Sequence, residues 1–334
     1  MQVFRGLGHH GLAPTRGHAL TIGNFDGVHR GHQAMLALLT NEARHRGVRS
    51  CVLTFEPHPR DFFAARAGRP EMAPLRICTL RDKLAEIERC GVDQVVVARF
   101  DAALASMTPS AFVEQVLCRG LGARYVLVGD DFNYGAKRAG NYATLDEAGR
   151  AAGFDVARMM SYEVHGLRVS SSAVREALAA GDMARAEGLL GRPYAVSGHV
   201  QHGRKLGREL GFPTLNLRFG HPRPAAGGIF AVRVFGLGIE ALPGVASLGV
   251  RPTLGHEGQV LLEAHVFDWP AALAPEAGYG RLVRVELLHK LHDELKYPSL
   301  AALREGIAAD TAAARAWLLA PRHVLRRHTL PRHT

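Results

Sequence analysis

The chain has 334 residues, 47% of them hydrophobic, which is enough for about two domains with full cores. Lys and Arg number 41 against 31 Asp and Glu, a net charge of +10 that favours anionic partners, either nucleic acid or phosphorylated small molecules. No run of 18 apolar residues occurs, the first residues lack an apolar signal core, and Cys51, Cys78, Cys90 and Cys118 form no CxxC pair; these features argue against a membrane span, a secretory leader and a disulfide framework, and the expectation is a soluble cytoplasmic protein with reduced thiols.

In chain order, the first half alternates strand and helix. "HALTIGNF" predicts a strand and "QAMLALLTNEARHRG" a helix ending at Gly47. "RSCVLTFEP" predicts a strand, and "TLRDKLAEIERCG" a helix capped by Thr79, with Asp82 three residues on and Gly91 past its end. "DQVVVARF" reads as a strand, and "TPSAFVEQVLCRG" as a helix with Thr108 at its cap, Pro109 in its first turn and Gly120 as its stop. "ARYVLVGDDF" is a strand running into a loop, "NYATLDEAGRAAG" a helix, "DVARMM" a short strand and "SSSAVREALAAG" a serine-capped helix. Strands separated by helices of about ten to fifteen residues predict βαβ units and a parallel sheet, with ligands beyond the carboxyl ends of its strands.

Near residue 190 the pattern changes to short apolar runs between turns rich in Gly and Pro. Strands are expected over 194–202, 229–235, 244–249, 260–267 and 282–288, which suggests an antiparallel barrel. An amphipathic helix follows, "SLAALREGIAADTAAARAWLL", with Leu300, Leu303, Ile307 and Trp317 expected on its inward face. The domains expected are 1–186, 187–320 and a basic, disordered tail, 321–334.

Several clusters fall at strand ends. "GNFDGVHRGH" joins a strand to a helix start, where unpaired N–H groups and the positive end of the dipole suit a phosphate chain. His29 and His32, three apart, can project from one side of that turn. The segment is neither a P-loop nor a dinucleotide GxGxxG, and a plain glycine-rich turn with two solvated histidines stands beside the functional reading. "FEPHP" holds His58 between two prolines; "VGDDF" puts Asp130, Asp131 and Phe132 at a strand end; "VSSSAVR" offers Ser170, Ser171, Ser172 and Arg175 within one helical turn, a second phosphate cradle or an ordinary cap. "HKLHDE" invites a zinc reading, but it is not HExxH and lacks a third ligand at a recognised spacing, so a surface segment is expected.

In order and spacing, GNFDGVHRGH, FEPHP, VGDDFNYG and VSSSAVR resemble the FAD synthetase module of bacterial bifunctional riboflavin kinase/FAD synthetase, a nucleotidylyltransferase. "GHVQHGRKLGRELGFPTLNL", "SLGVRPTLG" and "LLEAHVFDW" are similar to the riboflavin kinase module of the same family, so the resemblance spans about residues 15–318. It implies an α/β nucleotidylyltransferase domain with a Rossmann-like parallel sheet, followed by a mostly antiparallel β-barrel kinase domain with a C-terminal helix. It further implies ATP contacts from Gly23, Asn24, Phe25, Asp26, Gly27, His29, His32, His58, Ser170–Ser172 and Arg175, with His29 and His32 catalytic, and FMN contacts from Asp130, Asp131 and Phe132. In the kinase module it implies ATP contacts from Gly207, Arg208, Gly211, Pro213, Thr214 and Asn216, Mg²⁺ on Thr214 and Asn216, and Glu263 as general base. His292 stands near the flavin, where many members carry Arg; Ser172 replaces the usual Thr and Ser247 a common Asn.

The substrates implied are riboflavin, FMN and ATP, with FAD as final product. Two other readings remain at this level: a nucleotidylyltransferase for a different phosphorylated acceptor, and a basic nucleic-acid-binding protein on a degenerate transferase fold. The absence of RNA-recognition motifs and a content of only 7% aromatics count against nucleic acid. No membrane partner is expected, and the sequence gives no oligomeric state.

Overall fold

The computed structural model describes residues 1–8, 12, 14–164, 167–203, 206–221, 223–253, 256–270, 273–274 and 276–320. The expected basic tail lies outside the described residues. The chain divides into two compact units, Met1–Val196 with Gly220–Ala226, and Ser197–Phe219 with the residues from Gly227 onward.

Near-continuous apolar runs build the first unit. Strands β1 (Gln2–Arg5), β2 (His18–Ile22), β3 (Arg49–Glu56), β4 (Gln94–Arg99), β5 (Ala123–Gly129) and β6 (Asp155–Met159) form one sheet in the order β1-β4-β3-β2-β5-β6. All its pairings are parallel. Both faces of such a sheet are covered, which is why β2 is buried along its whole length. On one face Ala19, Val52 and Val95 meet Leu36 and Leu39 of α1 (Arg30–His45) and Ile87 of α3 (Leu80–Arg89). On the other, Leu20, Leu53 and Val96 meet Phe112, Val116 and Leu117. From β2 the chain steps one way to β3 and β4, then returns to add β5 and β6 on the other side. The carboxyl ends of β2 and β5 therefore flank the point where strand order reverses, the place where open parallel sheets form a crevice.

Short helices α2 (Pro59–Arg66) and α4 (Ala102–Ser106) bracket α3 in the chain. The helix expected from Thr108 starts as foreseen: Thr108 Oγ1 accepts from the Ala111 amide at 3.2 Å and Pro109 opens α5 (Pro109–Ala111). From Phe112 to Gly120 it is wound as a π-helix. Residues 112 and 116, and 113, 117 and 121, are all buried, a spacing of four that a wider winding keeps on one face. Then come α6 (Tyr142–Ala152), a small hairpin of β7 (Glu163–Val164) and β8 (Leu167–Arg168), α7 (Ser171–Ala179) and α8 (Met183–Leu190). The boundary expected between 186 and 187 falls within α8.

Gly220–Ala226 is held by the first unit through its backbone. The Arg76 amide donates to Arg223 O and the Ala225 amide to Arg76 O, both at 2.8 Å. Arg223 Nη1 donates to the carbonyls of Pro70, Glu71 and Ala73, at 3.0, 2.6 and 2.6 Å.

The second unit is an antiparallel sheet in the order β10-β13-β12-β11-β14-β9, from β9 (Tyr194–His199), β10 (Leu215–Arg218), β11 (Gly228–Phe235), β12 (Leu242–Thr253), β13 (His256–Val266) and β14 (Leu282–His292). A bridge between Gln201 and Asn216 brings the two edges together, leaving a nearly closed barrel. Short β10 was not among the five expected strands; its four residues come one residue, Thr214, after a Gly-Phe-Pro turn. One turn of helix, α9 (Leu206–Glu209), precedes it. The last helix, α10 (Leu300–Leu319), is capped by Ser299 and packs Ala314 against Ala231, Val245 and Phe267. Leu300, expected to face inward, is 59% exposed, because it lies in the first turn, ahead of the part that packs against the barrel.

Gly27 shows how tightly the β2–α1 turn is built. Its φ is +86°, and a Cβ there would lie 2.7 Å from Ile77 Cγ2. Gly47, with φ +64°, has nothing within 4 Å of the same position. Gly47→Ala should cost about 1 kcal/mol in urea unfolding, and Gly27→Ala should cost about 1–3 kcal/mol more. Equal losses would mean the turn yields freely.

Candidate active sites

The first cleft lies at the point where the strand order reverses and has a volume of about 280 Å³. His29, Gly31 and His32 wall it from the start of α1, Ser170–Ser172 from the start of α7, and Asp130 and Asp131 from the end of β5. Two helix N-termini thus open onto one space, each with unpaired N–H groups and a positive dipole end.

The turn after β2 reaches α1 through strained backbone: Phe25 and Val28 have φ of +48° and +40°. Phe25 is buried with its ring 4.8 Å from that of His32. The imidazoles of His29 and His32 stack at 3.7 Å, only 15° from parallel. His29 Nδ1 accepts from the His32 amide at 3.3 Å and caps α1, so Nε2 carries the ring proton and is the donor. Gly31 makes the approach possible, since a Cβ there would press to 3.3 Å from His29 Nδ1 and 3.4 Å from Val169 O. Burial, with the fields of Arg175 and Arg192, pulls His29 down to about 4. Burial and its neighbours His29 and Lys83 also pull His32 well below its ordinary value. Burial thus favours the neutral form of both rings, so what His29 presents at Nε2 is an N–H donor and not a cation.

Other residues expected here serve behind the cleft. Asp26 is buried and accepts from the Ile77 and Cys78 amides and, at 2.8 Å, from Arg175 Nη2. Burial raises its pKa, but Arg76 and Arg175 outweigh this and hold it below the usual value. Arg175 Nε donates to Leu75 O at 2.7 Å, so its guanidinium ties α7 to the turn instead of facing the cleft. Ser171 Oγ donates to Asp26 O at 3.2 Å. His58 is buried, caps α2 through Nδ1 at 3.1 Å from the Arg60 amide, and is drawn to about 4 by burial and Arg76. His58, Arg175 and the Gly23–Gly27 stretch do not line the cleft, and neither does Phe132, which packs on the core and stacks with Tyr134.

The second site is a pocket of about 290 Å³ in the second unit. Asn216, Glu263 and Ser247 sit side by side across β10, β13 and β12. Glu263 is opposite in pleat to core residues Leu262 and Ala264, and it lines the pocket with Gly207, Thr214 and His292. The Gly207 carbonyl accepts from the Phe212 amide at 2.6 Å, folding the glycine loop back on itself. Arg208 points away, 3.4 Å from Glu276, and the Pro213 carbonyl accepts from His265 Nδ1 at 2.9 Å. Gly211 takes φ +88° at the turn and is not part of the wall.

Two family models match: FAD synthetase over residues 12–173 and riboflavin kinase over 190–318. Curated proteins called bifunctional riboflavin kinase/FMN adenylyltransferase are similar along nearly the whole chain. The one from Pseudomonas fluorescens is 46% identical, covering 96% of this chain and 99% of its own. That from Escherichia coli K12 is 43% identical over 94% and 97%, and that from Haemophilus influenzae 42% over 95% and 99%. The chain belongs to this family. A crystal structure titled as a macrolide-efflux protein from Streptococcus pneumoniae, 25% identical, aligns over 95% of this chain and all of its own with a TM-score of 0.73. No described helix of this family member is long and apolar enough to cross a membrane.

Several residues of both sites escaped the sequence reading. Arg168, paired with Asp130 at 3.5 Å, lines the first cleft two residues before the serines, and its basic charge beside them was the available signal. Ser161 also donates to Asp130. In the second pocket, Asp310 enters from α10; Glu294, a carboxylate of "HKLHDE" that the sequence offers as the next candidate after Glu263, accepts from Ser247 Oγ at 2.9 Å. Among the described residues no group of three or more His, Cys, Asp and Glu is arranged to hold a metal ion. The first four residues of "HKLHDE" end β14, and His292 lines the pocket instead of lying on an open surface.

The buried histidines fix a sign for acid behaviour. Between pH 6.5 and about 4 the unfolded chain protonates His29 and His58 while the folded one does not. Their contribution is complete above 6.5 and is lost as pH falls towards 4. Hydrogen exchange at core amides of β2 and β3 should show the first unit weakening across that window. His29→Asn with His58→Asn, which keeps a cap acceptor but cannot titrate, should reduce the dependence, the remainder belonging to His32. An unchanged slope would show that these histidines are not its source.

Proposed function

We propose that the chain phosphorylates riboflavin to FMN and then adenylylates FMN to FAD and pyrophosphate, using ATP in both steps. The observation that carries this, in a member of this family, is the convergence of two helix N-termini and a stacked pair of neutral histidines at the reversal point of the parallel sheet. Transfer of AMP needs no strong base, because the FMN phosphate is already an anion. It needs the phosphate chain aligned and the charge on the α-phosphate and leaving pyrophosphate stabilised. In this reading His29 Nε2–H, His32 and the amides opening α1 and α7 supply that stabilisation, while Asp130, Asp131 and Arg168 address the FMN side.

In the kinase pocket, the Gly207–Thr214 loop holds ATP and Glu263 takes the proton from the riboflavin hydroxyl as the γ-phosphoryl moves in line. The residues fit Mg²⁺. Asn216 Oδ1 is buried without a hydrogen-bond partner, while its Nδ2 donates to Thr214 O at 3.3 Å, so an amide oxygen is left for a hard cation. Gly203 leaves that oxygen room, since a Cβ there would crowd it to 2.8 Å. Bound at Thr214 and Asn216, Mg²⁺ would offset charge on the ATP phosphates.

Incubation with riboflavin, ATP and Mg²⁺, followed by chromatography of the flavins, should yield FMN and then FAD; no flavin product would refute the reading. His29→Ala with His32→Ala should slow FAD formation by about 10²–10³ and let FMN accumulate. Glu263→Gln should slow riboflavin phosphorylation by about 10²–10⁴ and leave FAD formation from added FMN intact. Phosphorylation at the wild-type rate in Glu263→Gln would remove Glu263 from the role of base.

A further inference from the structure

The unabsorbed motif "HKLHDE" meets α10 at two points. Regular alternation along β14 would send His289 and His292 to opposite faces. Opposite β11, however, Lys290 pairs with Phe230 and His292 with Ile229, so Leu291 is an extra residue that reverses the alternation. Both histidines therefore turn to α10. The His289 ring stacks on Trp317 with centroids 4.9 Å apart and planes 2° from parallel. His292 Nε2 lies 2.7 Å from Asp310 Oδ1. Asp310 and Trp317 are seven residues apart, on one face of α10.

Both ring nitrogens of His292 meet oxygens that can only accept. Nδ1 is 2.6 Å from the Asp293 carbonyl, and Nε2 faces the Asp310 carboxylate. A neutral imidazole donates from one nitrogen; only the imidazolium satisfies both. The charged surroundings agree. Asp310 faces His292 from α10, and Glu263 and His265 line the same pocket from β13. Glu294 and Tyr297 line it from the chain beyond β14, and Asp293 there pairs with Lys290 at 2.5 Å, while β11 presents apolar Ile229. The bond to Asp310 outweighs burial and raises the pKa of His292 above the ordinary 6.5. Leu303, Ile307 and Asp310 of α10 are themselves wall residues of the pocket.

We infer that His292 and Asp310 form a titratable clasp that positions α10 as a wall of the kinase pocket, so that the pocket binds the flavin acceptor tightly while His292 is an imidazolium and more weakly once it is neutral. This rests on the riboflavin kinase reading of that pocket. His292 is a positioning residue: it holds a wall and takes no part in proton transfer to the nucleophile. The sign follows from the raised pKa. The clasp is complete below 6.5 and is released as pH climbs through the folded-state value.

The test uses the full chain with ¹⁵N-labelled histidine, the His292 ring signals being assigned by their loss in His292→Gln. Both ring nitrogens should be protonated at pH 7. The riboflavin Kd and KM should rise about three- to ten-fold between about pH 6 and pH 9, the range between an exposed ion pair and a charge-assisted hydrogen bond, with a smaller change in kcat. His292→Arg keeps two donors and a permanent charge, and should flatten the rise. Asp310→Asn should bring the rise to lower pH. Melting temperatures of each variant separate lost folding from lost affinity. A neutral His292 ring at pH 7, or an undiminished rise in folded His292→Arg, would overturn the clasp. Absence of riboflavin phosphorylation at every pH beside a protonated ring and pH-dependent riboflavin binding would instead overturn the kinase reading.

Discussion

The first unit depends on one buried carboxylate. Asp26 joins three segments that are far apart in sequence: the turn after β2, the stretch before α3 through the Ile77 and Cys78 amides, and α7 through Arg175. Burying a charge is costly unless it is paired and hydrogen-bonded, and here the partners come from two separate pieces, the adjacent amides of Ile77 and Cys78 and the guanidinium of Arg175 on α7. The carboxylate does not line the cleft, yet it fixes where the two helix starts can lie. The strain at Phe25 and Val28 is tolerable because this network leaves the turn no other course.

The two clefts present different chemistry. The first offers dipoles: two helix starts and two imidazoles whose protonation burial disfavours. The second is lined by carboxylates and an amide oxygen, a set suited to a hard cation and a proton acceptor. His29 and His292 make the contrast plain. One caps a helix from a buried position, where burial disfavours its charge; the other sits between two acceptors, which favour it.

Much of this was legible in the sequence. Caps at Thr79, Thr108 and Ser170, the β/α alternation and the clusters at strand ends all act within a few residues, and local pattern reports them well. What was not legible came from longer range. The ring of His58 is held by the first turn of α2, and the guanidinium of Arg175 is tied to Asp26 from the other end of the unit, contacts that residue type alone does not report. The π-winding of 112–120 answers to packing on the sheet, which propensity does not encode. Leu300 fitted the helical period but lies short of the barrel, and the bulge at Leu291 inverted the side on which His292 stands.

The return of Gly220–Ala226 to the first unit bears on how the protein emerges from the ribosome. Arg76 and the carbonyls of Pro70, Glu71 and Ala73 find their partners in Arg223 and Ala225, which are made only after Val196 and the whole of β10. Domains generally fold in the order in which they are synthesised. Here the earlier-made unit must wait, with backbone groups of the 70–76 stretch still open to water, until synthesis has passed Ala226. Translation thus sets the earliest moment at which the adenylyl-transfer unit can be complete, and that moment falls when the barrel has itself begun to emerge.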